Sequence, residues 1–288
     1  MQHETGKTPW NTGPGTAGPA WPRRVESVAE VDSTSLELRR RLERDPESAS
    51  PAALLATVQT GGRGRFDRSW VSPLGGLWLS IAGRLPSTAD EERRVLTGLS
   101  LRVALGVLES LEAGLGSPPL RDSRLALKWP NDLVVLDAGH QGWLKVGGIL
   151  IERLSFPSPW LIIGIGINAN FPVSQLPSSL GASATTLRTA LGVETDLAAV
   201  AGRLLHDVAR AAASTGVPAA AFTSRMVGID RPVSLRWPTN AAPPRGGWNA
   251  SSGLVEGVLR GLSAESGLAM IELPSGMIVE SPPGAVIM

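Results

Sequence analysis

Leu54-Leu55-Ala56-Thr57-Val58 runs directly into Gln59-Thr60-Gly61-Gly62-Arg63-Gly64-Arg65-Phe66-Asp67-Arg68-Ser69-Trp70. The first five residues, apolar and partly β-branched, read as a strand. Gly76-Leu77-Trp78-Leu79-Ser80-Ile81-Ala82 reads as the next one. Between them lies a loop with three glycines and three arginines in twelve residues. Glycine lets a backbone approach a ligand closely and turn its N–H groups toward it. Arginine offers a planar fork that grips carboxylate or phosphate through two bonds. The stretch therefore reads as an anion clamp hung between two strands, against the alternative of a solvated hairpin loop.

Upstream, Val25 to Val31 leads into Asp32-Ser33-Thr34-Ser35, followed by leucines at helical spacing through Arg44. Asp32 or Ser33 is the expected N-cap. A helix N-terminus with free hydroxyls can also receive an anion or a urea-like carbonyl. Downstream, Asp90 to Ala113 carries Val95, Leu96, Leu99, Val103, Val107, Leu108 and Leu111 on one face. That pattern predicts one long amphipathic helix, ended by Gly114 and Gly116.

Leu125 to Leu136 predicts two strands joined at Trp129-Pro130-Asn131-Asp132, with Lys128, Asn131 and Asp132 converging at one strand end. These are groups suited to a nucleotide and its metal, although Pro and Asx residues also make plain turns. Asp137 to Gln141 reads as a polar turn, and Trp143 to Glu152 as a strand returning in a hairpin. Lys145 stands in that otherwise apolar strand, where a lysine either snorkels or faces an anion. Trp160 to Asn170 is nearly all apolar and reads as a central buried strand. Its Gly164 and Gly166 admit either a neighbouring backbone or a flat ligand. No third glycine or helix follows, so a dinucleotide-binding reading is poor, and no P-loop sequence occurs.

The 288 residues allow one full-sized core and a smaller one, and a formal charge of +1 implies neither nucleic acid nor a membrane as partner. Lysine occurs only at positions 7, 128 and 145. There is no cysteine, which excludes a disulfide framework, a thiolate nucleophile and cysteine-ligated zinc, and fits a reducing cytoplasm. His3, His140 and His206 are scattered without metal-ligand spacing. No apolar run reaches a membrane span and no signal peptide is evident. Residues 1–24 read as a disordered tail, with no room for a helix-turn-helix before the first ordered element. Asp196 to Ala213 and Pro218 to Met226 predict two helices. From Asp230, short strands separated by turn signals predict a small β-barrel-like domain, interrupted by a Pro/Gly/Asn-rich insert at Pro238 to Ser252. The expected division is 1–24, 25–227 and 228–288.

Gly62-Arg63-Gly64-Arg65, Lys128-Trp129-Pro130-Asn131-Asp132, Lys145-Val146-Gly147-Gly148-Ile149-Leu150 and Gly166-Ile167-Asn168 stand in this order. In these motifs the chain resembles the biotin protein ligases from about Val31 to Asn168, with a weaker fit beyond. The resemblance implies an α+β fold: a mixed β-sheet flanked by helices, like that of class II aminoacyl-tRNA synthetases, followed by an SH3-like β-barrel. It implies that biotin and Mg-ATP form biotinyl-5′-AMP and pyrophosphate. Biotin then passes to a lysine of a biotin carboxyl carrier domain of an acyl-CoA carboxylase.

By position, the resemblance makes Lys145, Arg63 and Asp132 the catalytic candidates. It assigns biotin to Ser33, Thr34, Ser35, Gln59, Arg63, Gly64, Arg65, Lys145 and Gly147. It assigns ATP and the adenylate to Arg65, Arg68, Trp70, Lys128, Asn131 and Asn168. Asp132 is left either to anchor Mg2+ through water or to steer the incoming ammonium. Where the family usually has glycine this chain has Asp67, whose charge would pair with Arg65 and Arg68 or weaken the clamp. The implied protein is a cytoplasmic ligase, a monomer or weak homodimer, without a DNA or membrane partner. The competing readings are a lipoate or octanoate ligase or transferase of the same architecture, and a non-catalytic biotin-binding module.

Overall fold

The computed structural model describes residues 24–46, 52–115, 124–136, 142–155, 159–242, 244, 248–249 and 252–288. Apart from Arg24, the expected N-terminal tail lies outside them. So do the turn at Asp137 to Gln141 and much of the insert at Pro238 to Ser252.

Seven strands form a mixed sheet: β1 (Arg24–Val31), β2 (Ala52–Gln59), β3 (Leu77–Arg84), β4 (Leu125–Lys128), β5 (Asp132–Leu136), β6 (Trp143–Leu154) and β7 (Trp160–Ile167). Their order is β1-β2-β3-β7-β6-β5-β4, which puts the apolar β7 at the centre as its sequence predicts. Only β1 and β2 run parallel; the other pairs are antiparallel.

The two faces of β7 separate by residue parity. Leu161, Ile163, Ile165 and Ile167 enter the main core, facing α3 (Leu99–Gly114) and α5 (Leu197–Ala213). On the opposite face, Trp160 and Ile162 meet Leu38 and Leu42 of α1 (Thr34–Arg44). Further along that face Gly164 and Gly166 carry no side chain, so Ser35 Oγ packs against Gly164 and the Trp70 indole lies on Gly166. A single strand thus supports a helix at one end and opens a floor at the other.

Two predicted helices are corrected. The expected helix over Asp90 to Ala113 is two helices, α2 (Ala89–Leu96) and α3, because Thr97 and Gly98 leave helical geometry. Gly98 has φ 71°, and a Cβ there would lie 2.7 Å from the Gly216 carbonyl oxygen. Arg102 gathers carbonyls around the break, donating to Val95, Thr97, Ala211 and Gly216 at 2.6, 2.7, 3.0 and 2.5 Å. That supplies donors for acceptors that a terminated helix leaves over. The helix expected over Pro218 to Met226 is short. After α4 (Leu187–Leu191) and α5, α6 spans only Ala219–Thr223. Arg225 and Val227 instead exchange backbone bonds of 2.9 Å with Leu127 of β4.

β8 (Pro232–Arg236), β9 (Trp248–Asn249), β10 (Leu254–Leu262), β11 (Ala269–Glu272), β12 (Ile278–Glu280) and β13 (Val286–Ile287) form the second, antiparallel sheet of an SH3-like unit. Its Leu235, Val255, Leu259 and Ile271 belong to the same buried cluster as Leu101 and Leu127. Trp129 Nε1 also donates to the Gly267 carbonyl at 3.1 Å. This seam brings β8 and β13 to the rim of that glycine floor.

Candidate active site

The floor lies in a cavity of about 760 Å3. Two cross-strand rows build it. Ser80, Gly164 and Leu150 stand side by side on β3, β7 and β6. One step along, Gly166, Gly148, Asp132 and Lys128 are neighbours across β7, β6, β5 and β4.

Lys145 is three residues from Gly148, so a regular strand would send the two to opposite faces. Between β5 and β6 the register slips: Leu133 faces Gly147 but Val134 faces Lys145. The bulge sends Val146 into the core, fully buried, and turns Lys145 onto the cavity side. There its ammonium sits 2.6 Å from Asp132 Oδ1 and 5.1 Å from the Trp70 ring centroid, a cation–π distance.

At the α1 end the cavity is lined by hydroxyls. Ser33 caps α1, its Oγ accepting from Leu36 N at 3.5 Å. Gln59 Oε1 accepts from the Thr34 backbone N–H at 2.9 Å and from Thr34 Oγ1 at 3.0 Å. Thr34 and Ser35 Oγ atoms lie 2.7 and 2.8 Å from Ser80 Oγ. Ser33, Thr34, Ser35 and Ser80 are all buried.

The other end is cationic. Arg63, Arg65, Arg68, Lys128, Lys145 and Arg236 line the cavity against one carboxylate, Asp132. A nearly neutral chain has concentrated positive charge here, as an anionic ligand requires. Burial lowers the pKa of Lys128; Asp132 counteracts this and Lys145 adds to it. Burial also lowers that of Arg65, with Asp132 opposing and Arg68 adding.

A partly buried lysine with no hydrogen-bond or ion-pair partner among the described residues costs stability while it is charged. Its depressed pKa makes that cost full at neutral pH and relieves it as pH rises toward the ordinary lysine value. Lys128→Met is therefore expected to raise Tm at pH 7, with the gain shrinking at alkaline pH, while weakening nucleotide affinity about tenfold or more. Thermal melts across pH and nucleotide titration check both.

The glycine-rich loop closes over these groups. Arg65 donates to Asn131 Oδ1 at 3.2 Å and to the Gly284 carbonyl of the second sheet at 3.5 Å. Arg63 reaches Glu152 Oε1 at 3.4 Å. Phe66 and Asp67 both have positive φ, 58° and 54°. Such geometry costs an ordinary residue about 1–2 kcal/mol. Asp67 thus takes a turn conformation that glycine would adopt without penalty. Its carboxylate lies 3.8 Å from Arg63, so of the two expected outcomes the pairing with Arg65 and Arg68 is not the one seen. The Phe66 ring instead receives both of those guanidinium groups, at 5.0 and 5.7 Å.

The structure gathers Ser33, Thr34, Ser35, Gln59, Arg63, Gly64, Arg65, Arg68, Trp70, Lys128, Asn131, Asp132, Lys145 and Asn168 around one cavity. Gly147 is the exception. It faces Leu133 on the core side, and Gly148 is the glycine on the floor. Asn131 is spoken for within the protein: its Nδ2 donates to the Ile149 carbonyl at 2.6 Å and its Oδ1 holds Arg65. Asn168 Oδ1 and Trp70 Nε1 are buried without a hydrogen-bond partner among the described residues, an unfilled acceptor and donor at the cavity. Sequence reading missed Ser80, Gly148 and Arg236 as lining residues. Ser80 was detectable as the one polar side chain inside an apolar strand; Arg236 depends on how the second sheet docks.

Buried hydroxyls at one end of a cavity and a cluster of cations at the other are an arrangement suited to a polar ring carrying an anionic group. A model of the biotin/lipoate A/B protein ligase family matches residues 29–170. The biotin–[acetyl-CoA-carboxylase] ligase of Mycobacterium tuberculosis is 34% identical over 194 residues, 67% of this chain and 65% of that protein. The ligase of the same name from Paracoccus denitrificans is 38% identical over 143 residues, 49% of this chain and 52% of that one. This chain thus matches less than two thirds of the length of either curated relative. The solved structure of biotin protein ligase from Aquifex aeolicus in complex with biotin and ATP has TM-score 0.67 and 30% identity, covering 92% of this chain and 100% of that one. The chain belongs to the biotin protein ligase family.

Proposed function

We propose that the protein is a biotin–protein ligase. It joins the biotin carboxylate to the α-phosphate of ATP, releases pyrophosphate, and passes biotin to a lysine of a biotin carboxyl carrier domain. One observation carries this reading. The bulge-presented Lys145 stands in the same cavity as the buried hydroxyls at the α1 end and the cationic end that includes Arg65 and Lys128. A carboxylate bound by its ring among the hydroxyls would have its charged end near Lys145.

The first step must bring two anions together. Like charges about 4 Å apart repel by roughly 4 kcal/mol at a surface-like dielectric. Lys145 has three donors and can keep Asp132 while reaching the carboxylate. Arg65 and Lys128 cover the phosphate side. Unfilled Asn168 Oδ1 suits the exocyclic amine of adenine, and the Trp70 indole suits a stacking role.

Magnesium would arrive with ATP, where phosphates and water supply most ligands and one or two carboxylates suffice. Asp132 can be that carboxylate; among the described residues no group of three acidic or histidine side chains forms a metal cage. In the second step the same carboxylate is available to the incoming ammonium, since the two cations belong to successive half-reactions. The need for ATP fits a cytoplasmic reaction. Among the described residues no helix is long and apolar enough to cross a membrane.

The test is a single-turnover reaction with ATP, biotin and a carrier domain, read by mass spectrometry. Gain of one biotinyl group on the carrier lysine supports the reading. Tight biotin binding without transfer would replace it with a binding module. In the same assay, Arg63→Ala frees the loop from Glu152. It is expected to release free biotinyl-AMP severalfold faster while leaving Tm nearly unchanged, because such partly exposed pairs contribute little stability. Unchanged leakage would remove Arg63 from the lid.

A further inference from the structure

The hydroxyl chain at the α1 end has a fixed direction. Its anchor is the Thr34 backbone N–H, which can only donate, so the Gln59 atom it meets at 2.9 Å is the carbonyl oxygen. That oxygen carries no proton. Thr34 Oγ1, 3.0 Å from it, must therefore spend its one proton there. The 2.7 Å contact between Thr34 and Ser80 then needs the proton of Ser80. With that proton spent, the 2.8 Å contact between Ser35 and Ser80 needs the proton of Ser35. The amide end of Gln59 is anchored too, donating to Ser72 Oγ at 2.8 Å.

Three hydroxyl protons are thus consumed inside the protein, and what remains on this chain is lone pairs. We infer that Ser80 is a positioning residue that holds Ser35 as a hydrogen-bond acceptor toward the cavity, so that the site selects an acid whose ring carries N–H donors. Ser80 is fully buried and central to the chain of bonds, and both it and Ser35 border the cavity. Gly164 leaves the room for this: a Cβ there would stand 2.8 Å from Ser35 Oγ. Ser33 differs. Its Oγ accepts from Leu36 N and keeps its proton, so it can donate to a ring carbonyl. An acceptor and a donor lining one cavity match one N–H and the C=O of a cyclic urea. A dithiolane ring offers neither. The inference rests on the biotin reading and adds to it the residue that sets ligand discrimination.

The test measures binding to the full chain by calorimetry without ATP. It compares biotin with its cyclic-carbonate analogue, in which both ring N–H groups are oxygens. The natural chain is expected to prefer biotin by about 10–100-fold, the range for leaving a buried acceptor facing another acceptor. In Ser80→Ala the proton of Ser35 is released to the cavity. Preference should then fall about tenfold or more, through weaker biotin binding and stronger analogue binding. ATP affinity should be unchanged.

Ser80→Cys keeps the volume and a weak donor, so its preference should fall between the two. Equal loss of both ligands in Ser80→Ala, or full retention of the preference, would overturn the inference. Should either variant misfold, Ser35→Ala gives the same reading from the cavity side: it must lose the preference. Failure of the natural chain to bind biotin would overturn the ligase reading itself, which a flat discrimination ratio would not.

Discussion

Replacing Lys145 with alanine is expected to lower the rate of adenylate formation by about 10²–10³-fold, the usual cost of losing one preorganised charge-stabilising donor. The bulge in β6 exists in a strand that would otherwise alternate cleanly, and its effect is to turn this ammonium toward the cavity. Loss of the side chain leaves Asp132 beside Lys128, its partner across β4 and β5, so the fold should survive with little change in Tm. Lys145→Arg should restore only part of the rate. A guanidinium fork cannot occupy the same point between Asp132 and the Trp70 ring as an ammonium does. Quench-flow measurement of biotinyl-AMP formation checks both variants. Near-normal adenylation in Lys145→Ala would remove Lys145 from the chemistry.

Gly62→Ala is the second large effect, and the contrast with Gly64→Ala gives it meaning. A Cβ at Gly62 would sit 2.4 Å from the Trp70 carbonyl oxygen and 2.6 Å from Ser72 Oγ. Trp70 N donates to the Gly62 carbonyl at 2.8 Å, so this contact is the neck of the loop. Backbone must move to admit the methyl group, and Trp70, Arg63 and Arg65 move with it. Misplacement of about 1 Å at a reacting site costs roughly 10²-fold in rate. At Gly64 the nearest atom to a Cβ is 3.5 Å away, an ordinary contact, and φ is −119°, open to any residue. Gly64→Ala should therefore stay within a few-fold of the natural chain. Steady-state rates and adenylate leakage of the two variants check this; equal damage would show that the loop needs flexibility throughout and not a fixed neck.

The loop motif shows both glycines in the same light, and only packing separates them. Much else was legible. β7 announced itself as an apolar run, and its glycines at alternate positions mark one face. Gln59 to Trp70 stood out by composition alone as a cationic, glycine-rich loop, and its arginines do line the cavity. Lys145 stood out as a charge in an apolar strand, but alternation placed it on the same side as Gly147. The register slip that reverses this is set by pairing with β5, which no local pattern records. The long helix failed for a similar reason. Gly98 is one unfavourable residue in a strong helical pattern, and what breaks the helix is its contact with Gly216 and the carbonyls gathered by Arg102. Arg236 reaches the cavity, and the Gly284 carbonyl reaches Arg65, only because the second sheet shares a core with α3 and β4.

The central claim is that one cavity activates biotin with ATP. Isotope exchange between pyrophosphate and ATP tests it most directly, because exchange requires reversible adenylate formation and no carrier protein. The account predicts exchange that depends on biotin, is absent with lipoate, and is lost in Lys145→Ala. Exchange supported by lipoate and not by biotin, or undiminished in Lys145→Ala, would contradict it.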